Sequence, residues 1–121
     1  MSLHIQRRAD HAVVGGIGFH GLDPNGLRAE VGYWLGRDYR GQGYATEALE
    51  AMARVGFREL GLHRIEAGVM PGNRASIRVL RRAGFSREGL LREYVQKRGR
   101  WVSSVLFARL ETDRRSKVRD R

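Results

Sequence analysis

The chain has 121 residues, which is enough for one small domain and too few for two. It contains no cysteine, which excludes disulfides, cysteine-bound zinc and a covalent cysteine thioester. The formal net charge of +10 is compatible with nucleic acid, a membrane surface or a polyanionic small ligand, and does not choose between them. No window approaches the ~18 apolar residues of a membrane span, so we expect a cytoplasmic protein with no membrane partner.

The first part of the chain predicts a β-hairpin. Residues 12–20 are apolar, rich in glycine and partly β-branched, which favours a strand over a helix. Asp-Pro and Asn-Gly pairs within residues 21–26 mark a turn. Residues 28–35 then alternate as a second strand, with Glu30 alone among apolar and small residues. The first ten residues, which have few apolar side chains, are assigned no element.

The rest of the pattern predicts a helix, a strand, a second helix and two final strands. An apolar stripe at helical spacing ends at Gly61, and Asn73 and Gly84 are suited to begin and end the second helix. A strand on each side of the first helix implies a parallel pair joined by a crossover. The spans are helix 44–60, strand 64–70, helix 75–83, and strands 88–95 and 101–110.

A glycine-containing loop joins the second strand to the first helix. Such a loop exposes backbone N–H groups at the positive end of the helix, where phosphate groups bind. The loop lacks the Lys-Ser/Thr of a P-loop and the G-x-G-x-x-G of a dinucleotide site, which argues against nucleotide hydrolysis and hydride transfer. A merely tight connection is the alternative for an isolated R-G-x-G. The loop reads Arg40-Gly41-Gln42-Gly43-Tyr44-Ala45.

In this context the chain resembles the GNAT N-acetyltransferase superfamily. Its R/Q-x-x-G-x-G/A signature corresponds to Arg40, Gly43 and Ala45. Segments 29–35, Asn73-x-x-Ser76 and 83–89 are similar to the branch that acetylates the N-termini of ribosomal proteins. The resemblance covers about residues 12–110. It implies an α/β (α+β) fold with a mixed, mostly antiparallel twisted sheet, a central parallel pair and helices packed on it.

The resemblance also implies acetyl-CoA as co-substrate, a primary amine as acceptor and no metal. Pantetheine would enter where the two parallel strands splay apart. Backbone groups of Trp34, Leu35 and Gly36 would bind it. The amides of residues 40–45, namely Arg40, Gly41, Gln42, Gly43, Tyr44 and Ala45, would hold the pyrophosphate, and Asn73 and Ser76 would line the thioester end. Asn73 can also serve as a helix N-cap.

The reaction implied is direct attack of a free amine on the thioester, which needs a base, an oxyanion donor and a proton for the thiolate. Glu30 matches a base position of the superfamily, although it could simply pair with an arginine such as Arg28. Glu93 is a second carboxylate candidate. The usual acid tyrosine would fall on Leu80, so Ser76 or Tyr94 would have to replace it. An α-amine with a pKa of ~8 deprotonates more easily than a lysine at ~10.4, which favours a protein N-terminus.

Family domains open with a strand and two helices that precede the strand at residue 12 and form one wall of the acceptor site. We therefore expect a single domain over residues 1–111 that is truncated at its N-terminus, and a basic, disordered tail over residues 112–121. An open sheet edge near residues 4–20 suggests a homodimer. The alternatives to N-terminal acetylation are a small amine such as an antibiotic, a non-catalytic CoA-binding module, or a basic module associated with RNA. For the acetyltransferase itself we expect no nucleic-acid partner except indirectly through the ribosome.

Overall fold

Six strands and two α-helices make up the part of the chain that the structure, a computed structural model, describes, which is residues 1–113. Within these residues no helix is both long enough and apolar enough to span a membrane. From residue 114 onward the predicted tail of residues 112–121 lies outside the described residues. The elements are β1 (Ser2–Gln6), β2 (Val13–Asp23), β3 (Arg28–Leu35), α1 (Tyr44–Arg58), β4 (Arg64–Val69), α2 (Arg74–Arg82), β5 (Ser86–Lys97) and β6 (Arg100–Leu110), with a short 3₁₀ turn at Arg37–Tyr39 before α1.

The strands form one mixed sheet in the order β1-β2-β3-β4-β6-β5. All neighbours are antiparallel except β3 and β4, which are parallel. Their pairing joins only residues 28–30 to residues 64–66 and ends where Glu30 lies opposite Glu66. The expected mixed sheet with one central parallel pair is confirmed, and the early end of that pair opens a gap between β3 and β4.

Both helices pack into one core against one face of the sheet. Leu49 and Met52 of α1 and Leu80 of α2 join buried strand residues such as Ile65 and Phe107. This arrangement follows from the apolar stripe of each helix and from strand alternation, which sends every second side chain to the same face. The opposite face carries exposed side chains, among them His20, Glu30 and Trp34.

A buried arginine fastens α2 to the core. Arg109 is 6% exposed and donates a hydrogen bond of 2.9 Å to the carbonyl oxygen of Ala83, at the end of α2. Its guanidinium lies 5.8 Å from the centre of the Phe57 ring on α1. The free carbonyl groups at the end of a helix favour a cation, so Arg109 fixes the position of α2 relative to α1.

Several predicted boundaries were wrong. β1 was missed because its side chains are mostly exposed, and its strand conformation comes from pairing with β2. β2 extends to Asp23, three residues into the predicted turn of residues 21–26. α1 ends at Arg58, two residues early, and Leu60 is 44% exposed. The final hairpin turns over two residues with positive φ, Arg98 and Gly99, so its strands are longer than predicted.

Candidate functional site

The glycine loop presents backbone amides at the start of α1. Gly41 and Gly43 have φ angles of 77° and 85°, in the left-handed region that favours glycine. Gly43 is the N-cap residue and makes no side-chain capping bond, and the first helical hydrogen bond runs from Glu47 N to Gly43 O at 3.1 Å. A Cβ atom on either glycine would meet no atom within 4 Å. The space before the first turn is therefore open, and the helix dipole makes it attractive to an anion.

Polar side chains of the same loop brace its backbone. Arg40 donates from Nε to the carbonyl oxygen of Leu35 at 3.4 Å, and Gln42 donates from Nε2 to the carbonyl oxygen of Asp38 at 3.2 Å. Both bonds fold these side chains back onto the preceding turn. Pyrophosphate binding by the backbone amides of this loop stays a prediction.

The N-terminal segment packs on this loop through Arg7. Its guanidinium lies 5.2 Å from the centre of the Tyr39 ring and makes two hydrogen bonds to Asp10, of 3.0 and 2.7 Å. The hydrogen bond from Arg7, helped by the amide of Ala12, lowers the pKa of Asp10 to about 2. This contact, which the sequence did not reveal, ties β1 to the turn before α1.

The gap between β3 and β4 forms a cleft of about 250 Å³. One wall is the edge of β3 beyond Glu30, where no β4 residue pairs with it. Such an edge can pair with the amide groups of an extended ligand. Of the three residues expected to bind pantetheine, Leu35 has its carbonyl oxygen bonded to Arg40, and Gly36 donates its N–H to Val14 O at 2.8 Å. Trp34 and Leu35 also pair with Gly16 and Gly15 of β2, so the backbone groups available to a ligand are those that face away from β2.

The start of α2 forms the other wall of the cleft. Asn73 accepts a hydrogen bond from the amide of Ser76 at 3.1 Å, so it acts as the N-cap, and both residues line the cleft. Tyr33 reaches across and donates its hydroxyl to Ser76 Oγ at 3.2 Å. Burial raises the pKa of Tyr33. Leu80, where the resemblance would place an acid tyrosine, is fully buried.

Glu30 lies where the pairing of β3 with β4 stops and the cleft begins. Its Oε1 lies 3.5 Å from Nε2 of His20, the residue directly opposite it on β2. Its Oε2 is 3.8 Å from the position that a Cβ atom on Gly68, a cleft residue, would occupy. Arg28, suggested as its partner by the sequence, instead pairs with Asp23 at 3.3 Å. A carboxylate beside an imidazole therefore lies at the edge of the cleft, open to solvent.

A second concavity of about 450 Å³ lies on the exposed face and shares Gly32 and Tyr33 with the cleft. Trp34 lies across Gly16 there, with its indole nitrogen 2.5 Å from the position of a Cβ atom, so only glycine fits beneath it. Trp34 remains 60% exposed. We call this concavity, lined by Ser2, Leu3, His4, Gly16, Ile17, Gly18, Phe19, His20, Gly32, Tyr33 and Trp34, the outer groove.

A charged network continues the exposed face beside Glu30. Arg64 bonds Glu66 at 2.7 Å and Glu88 at 2.6 Å, which links β4 to β5 across β6. The hydrogen bonds from Arg64 lower the pKa of Glu88. Glu88, which lies in the segment 83–89 that resembles the ribosomal branch, thus has a structural partner in Arg64.

Two of the predicted catalytic residues lie elsewhere. Glu93 and Tyr94 occupy a bulge of the edge strand β5, are exposed, and do not line the cleft. Glu93 has φ of 45°, and its amide donates to Ser103 Oγ at 3.2 Å. Lys97, further along the same strand, does line the cleft and was not singled out from the sequence. The catalytic roles of Glu93 and Tyr94 stay predictions. Among residues 1–113 there is no cluster of three or more side chains that could hold a metal ion.

Comparison with known proteins agrees with this arrangement. The acetyltransferase (GNAT) domain family matches residues 1–86. An uncharacterized N-acetyltransferase, p20 of Bacillus licheniformis, is 43% identical over 101 residues, which cover 84% of this chain and 57% of that protein. The uS5-alanine N-acetyltransferase of Escherichia coli is 40% identical over 64% of this chain and 40% of its own length. The crystal structure of a GNAT acetyltransferase from Bacillus anthracis superposes with a TM-score of 0.86, at 31% identity, over 93% of this chain and 67% of that one.

The mixed sheet with its early-ending parallel pair and two packed helices is the fold of known acetyltransferases. The chain belongs to the GNAT acetyltransferase family. Members of this family use acetyl-CoA as co-substrate. The chain spans about half the length of the curated relatives it matches.

Proposed function

We propose that the protein transfers an acetyl group from acetyl-CoA to a primary amine, by direct attack within a ternary complex. The observation that carries this proposal is the end of β3–β4 pairing at Glu30. That end opens a cleft with the Glu30 carboxylate at its edge, and β3 leads from the cleft to the uncapped amides at the start of α1. Family membership supports the same chemistry.

We propose that different residues bind each part of the coenzyme. The amides of residues 40–45 would hold the pyrophosphate, since the space beside Gly41 and Gly43 is open. The amide of Arg40 would first have to leave the carbonyl oxygen of Arg37, to which it is bonded at 3.5 Å. The unpaired edge of β3 at residues 34–36 would bind the amides of pantetheine. Asn73 and Ser76 would lie at the thioester, because they line the cleft at the start of α2.

Glu30 is the base that we propose for the amine. It lies beside the cleft and on the face of the outer groove, so a carboxylate oxygen can take the amine proton directly or through a water molecule. His20, 3.5 Å away, is placed to pass that proton to solvent. The acceptor would then enter from the outer groove, and acetyl-CoA from the cleft on the other side of Gly32.

A protein N-terminus is the acceptor we propose. An α-amine with a pKa of ~8 needs little help from a base at pH 7, and Glu30 is an exposed carboxylate rather than a buried one. The 40% identity to an enzyme named as an alanine N-acetyltransferase of uS5 points the same way. A small-molecule amine is the second candidate, because the outer groove, with a volume of about 450 Å³, is large enough to admit one.

The test has two stages. Calorimetry with acetyl-CoA measures binding, and thiol release then measures transfer to a hexapeptide beginning with alanine, to its N-acetylated form and to kanamycin. We expect binding, and thiol release with the free peptide only. Release with kanamycin alone would identify a small amine as acceptor, whereas binding without release from any acceptor would leave a non-catalytic CoA-binding module.

Two matched variants test the base. Glu30→Gln removes a carboxylate at the cleft, and Glu66→Gln removes its neighbour on β4, which is engaged by Arg64. We expect Glu30→Gln to lower kcat about 100-fold at pH 7, with recovery as the pH approaches the pKa of the amine. Glu66→Gln should stay within about threefold of the parent. Equal losses in both variants would assign Glu30 a structural role.

A further inference from the structure

A hydrogen bond between two hydroxyl groups spans the cleft. Tyr33 on β3 donates to Ser76 Oγ on α2 at 3.2 Å, and the two residues are 43 positions apart in the chain. Both line the cleft between β3 and β4. At this distance the Ser76 oxygen can accept from Tyr33, which leaves the hydroxyl proton of Ser76 available to a ligand in the cleft.

We infer that Tyr33 is a positioning residue that orients the Ser76 hydroxyl toward the sulfur of the thioester. This inference rests on the proposed function. As the amine nitrogen bonds to the acetyl carbon, the C–S bond breaks and its electron pair stays on sulfur. Ser76 donates a hydrogen bond to that sulfur, which stabilises the thiolate. The proton lost by the amine balances the one that the sulfur finally gains, so no other reactant is needed.

Few other groups in the cleft can do this. Among the described residues that line it, Tyr33, Asn73, Ser76 and Lys97 have side-chain donors. Asn73 caps α2 through its oxygen, which fixes the side chain at the start of that helix and leaves its NH2 group as an alternative donor. Leu80, which also lines the cleft, has no donor. Burial raises the pKa of Tyr33, so its hydroxyl keeps its proton well above neutral pH and remains a donor to Ser76.

A binding experiment tests the inference without turnover. An aliphatic thiol ionises near pH ~8.5, so CoA, but not desulfo-CoA, carries a thiolate at pH 9.5. Calorimetry gives the affinity for CoA divided by the affinity for desulfo-CoA, at pH 7 and at pH 9.5. If Ser76 donates to sulfur, the ratio rises about fivefold over this range, because the bound thiolate is favoured over the thiol.

Variants identify the donor and its orienting partner. Tyr33→Phe and Ser76→Ala should both abolish the rise, and Ser76→Thr, which keeps a hydroxyl, should retain it. Ser86→Ala, at an exposed position of β5 outside the cleft, is the matched control for Ser76→Ala and should behave as the parent. In the turnover assay we expect Tyr33→Phe to lower kcat about tenfold with the KM for acetyl-CoA within twofold, and the double variant to be no slower than Ser76→Ala.

Each other outcome is decisive. A constant ratio in the parent protein overturns the inference, as does a rise that survives in Tyr33→Phe. Loss of the rise in Lys97→Met alone would make Lys97 the donor and would also overturn it. A Tyr33→Phe protein that is only less stable, with an unchanged ratio, would show that the hydroxyl pair is structural. Failure of both CoA and desulfo-CoA to bind would instead refute the proposed function.

Discussion

Replacement of Gly43 by alanine separates the two roles of the glycine loop, backbone conformation and ligand binding. Gly43 has φ of 85°, and alanine in the left-handed region costs about 1 kcal/mol. A Cβ atom there meets no protein atom within 4 Å, so nothing in the free protein adds to this cost. We expect the melting temperature to fall by about 4 °C, as is typical for a domain of this size.

The effect on the ligand should be larger than the effect on stability. The new methyl group would project into the space before the first turn of α1, where the amides are uncapped. A hydrogen bond to a charged group contributes about 1.5–3 kcal/mol, so displacement of one phosphate contact should weaken acetyl-CoA binding at least tenfold. Calorimetry measures the affinity, and thermal unfolding followed by circular dichroism measures the stability.

Gly99 provides the matched control. It also has a left-handed φ, 75°, and open space at its Cβ position, but it lies in the β5–β6 turn. Gly99→Ala should therefore lose similar stability and keep its affinity for acetyl-CoA. If Gly43→Ala also kept its affinity within about twofold, the loop would not be the pyrophosphate site, and the assignment of the cleft to pantetheine would lose its support.

Three further predictions concern single side chains. The carboxyl group of Asp10 should titrate near pH 2 by NMR, and its pKa should rise toward 3.8 in Arg7→Gln, in which the amide of Ala12 still bonds the carboxylate. Because the folded-state pKa of Asp10 is depressed, its contribution to stability is fully present above about pH 4 and disappears as the pH falls through about 2, so an Asp10 midpoint unchanged by Arg7→Gln would contradict this pairing. Arg109→Met should lower the free energy of unfolding in urea by about 2 kcal/mol, through loss of the bond to the end of α2, and an unchanged midpoint would show that α2 is held by its apolar contacts alone. Glu93→Gln should stay within about threefold of the parent in kcat, because Glu93 lies outside the cleft, and a loss matching that of Glu30→Gln would make Glu93 the better candidate for the base.

The parts of the fold that were predictable from sequence depend on local signals. The strand, loop and helix over residues 28–58 follow from alternation, two glycines and an apolar stripe, all within thirty or so residues. The capping role of Asn73 follows in the same way, since its partner Ser76 is three positions away. β1 has no such signal, because its conformation is imposed by a partner strand and its own side chains are largely exposed.

The residues that complete the candidate site depend on register and on distant contacts. His20 faces Glu30 only because β2 pairs with β3 in one register, and an irregularity between His20 and Asp23 means that counting residues across the turn does not give that register. Tyr33 meets Ser76 only because the parallel pair ends at Glu30 and leaves room for a side chain to reach α2. A strand pattern correctly places Tyr33 on the core side, yet it cannot distinguish a core tyrosine from one that reaches into a cleft. The early end of a strand pair therefore determines which side chains can meet in the cleft, and this feature of the tertiary structure has no local counterpart in the sequence.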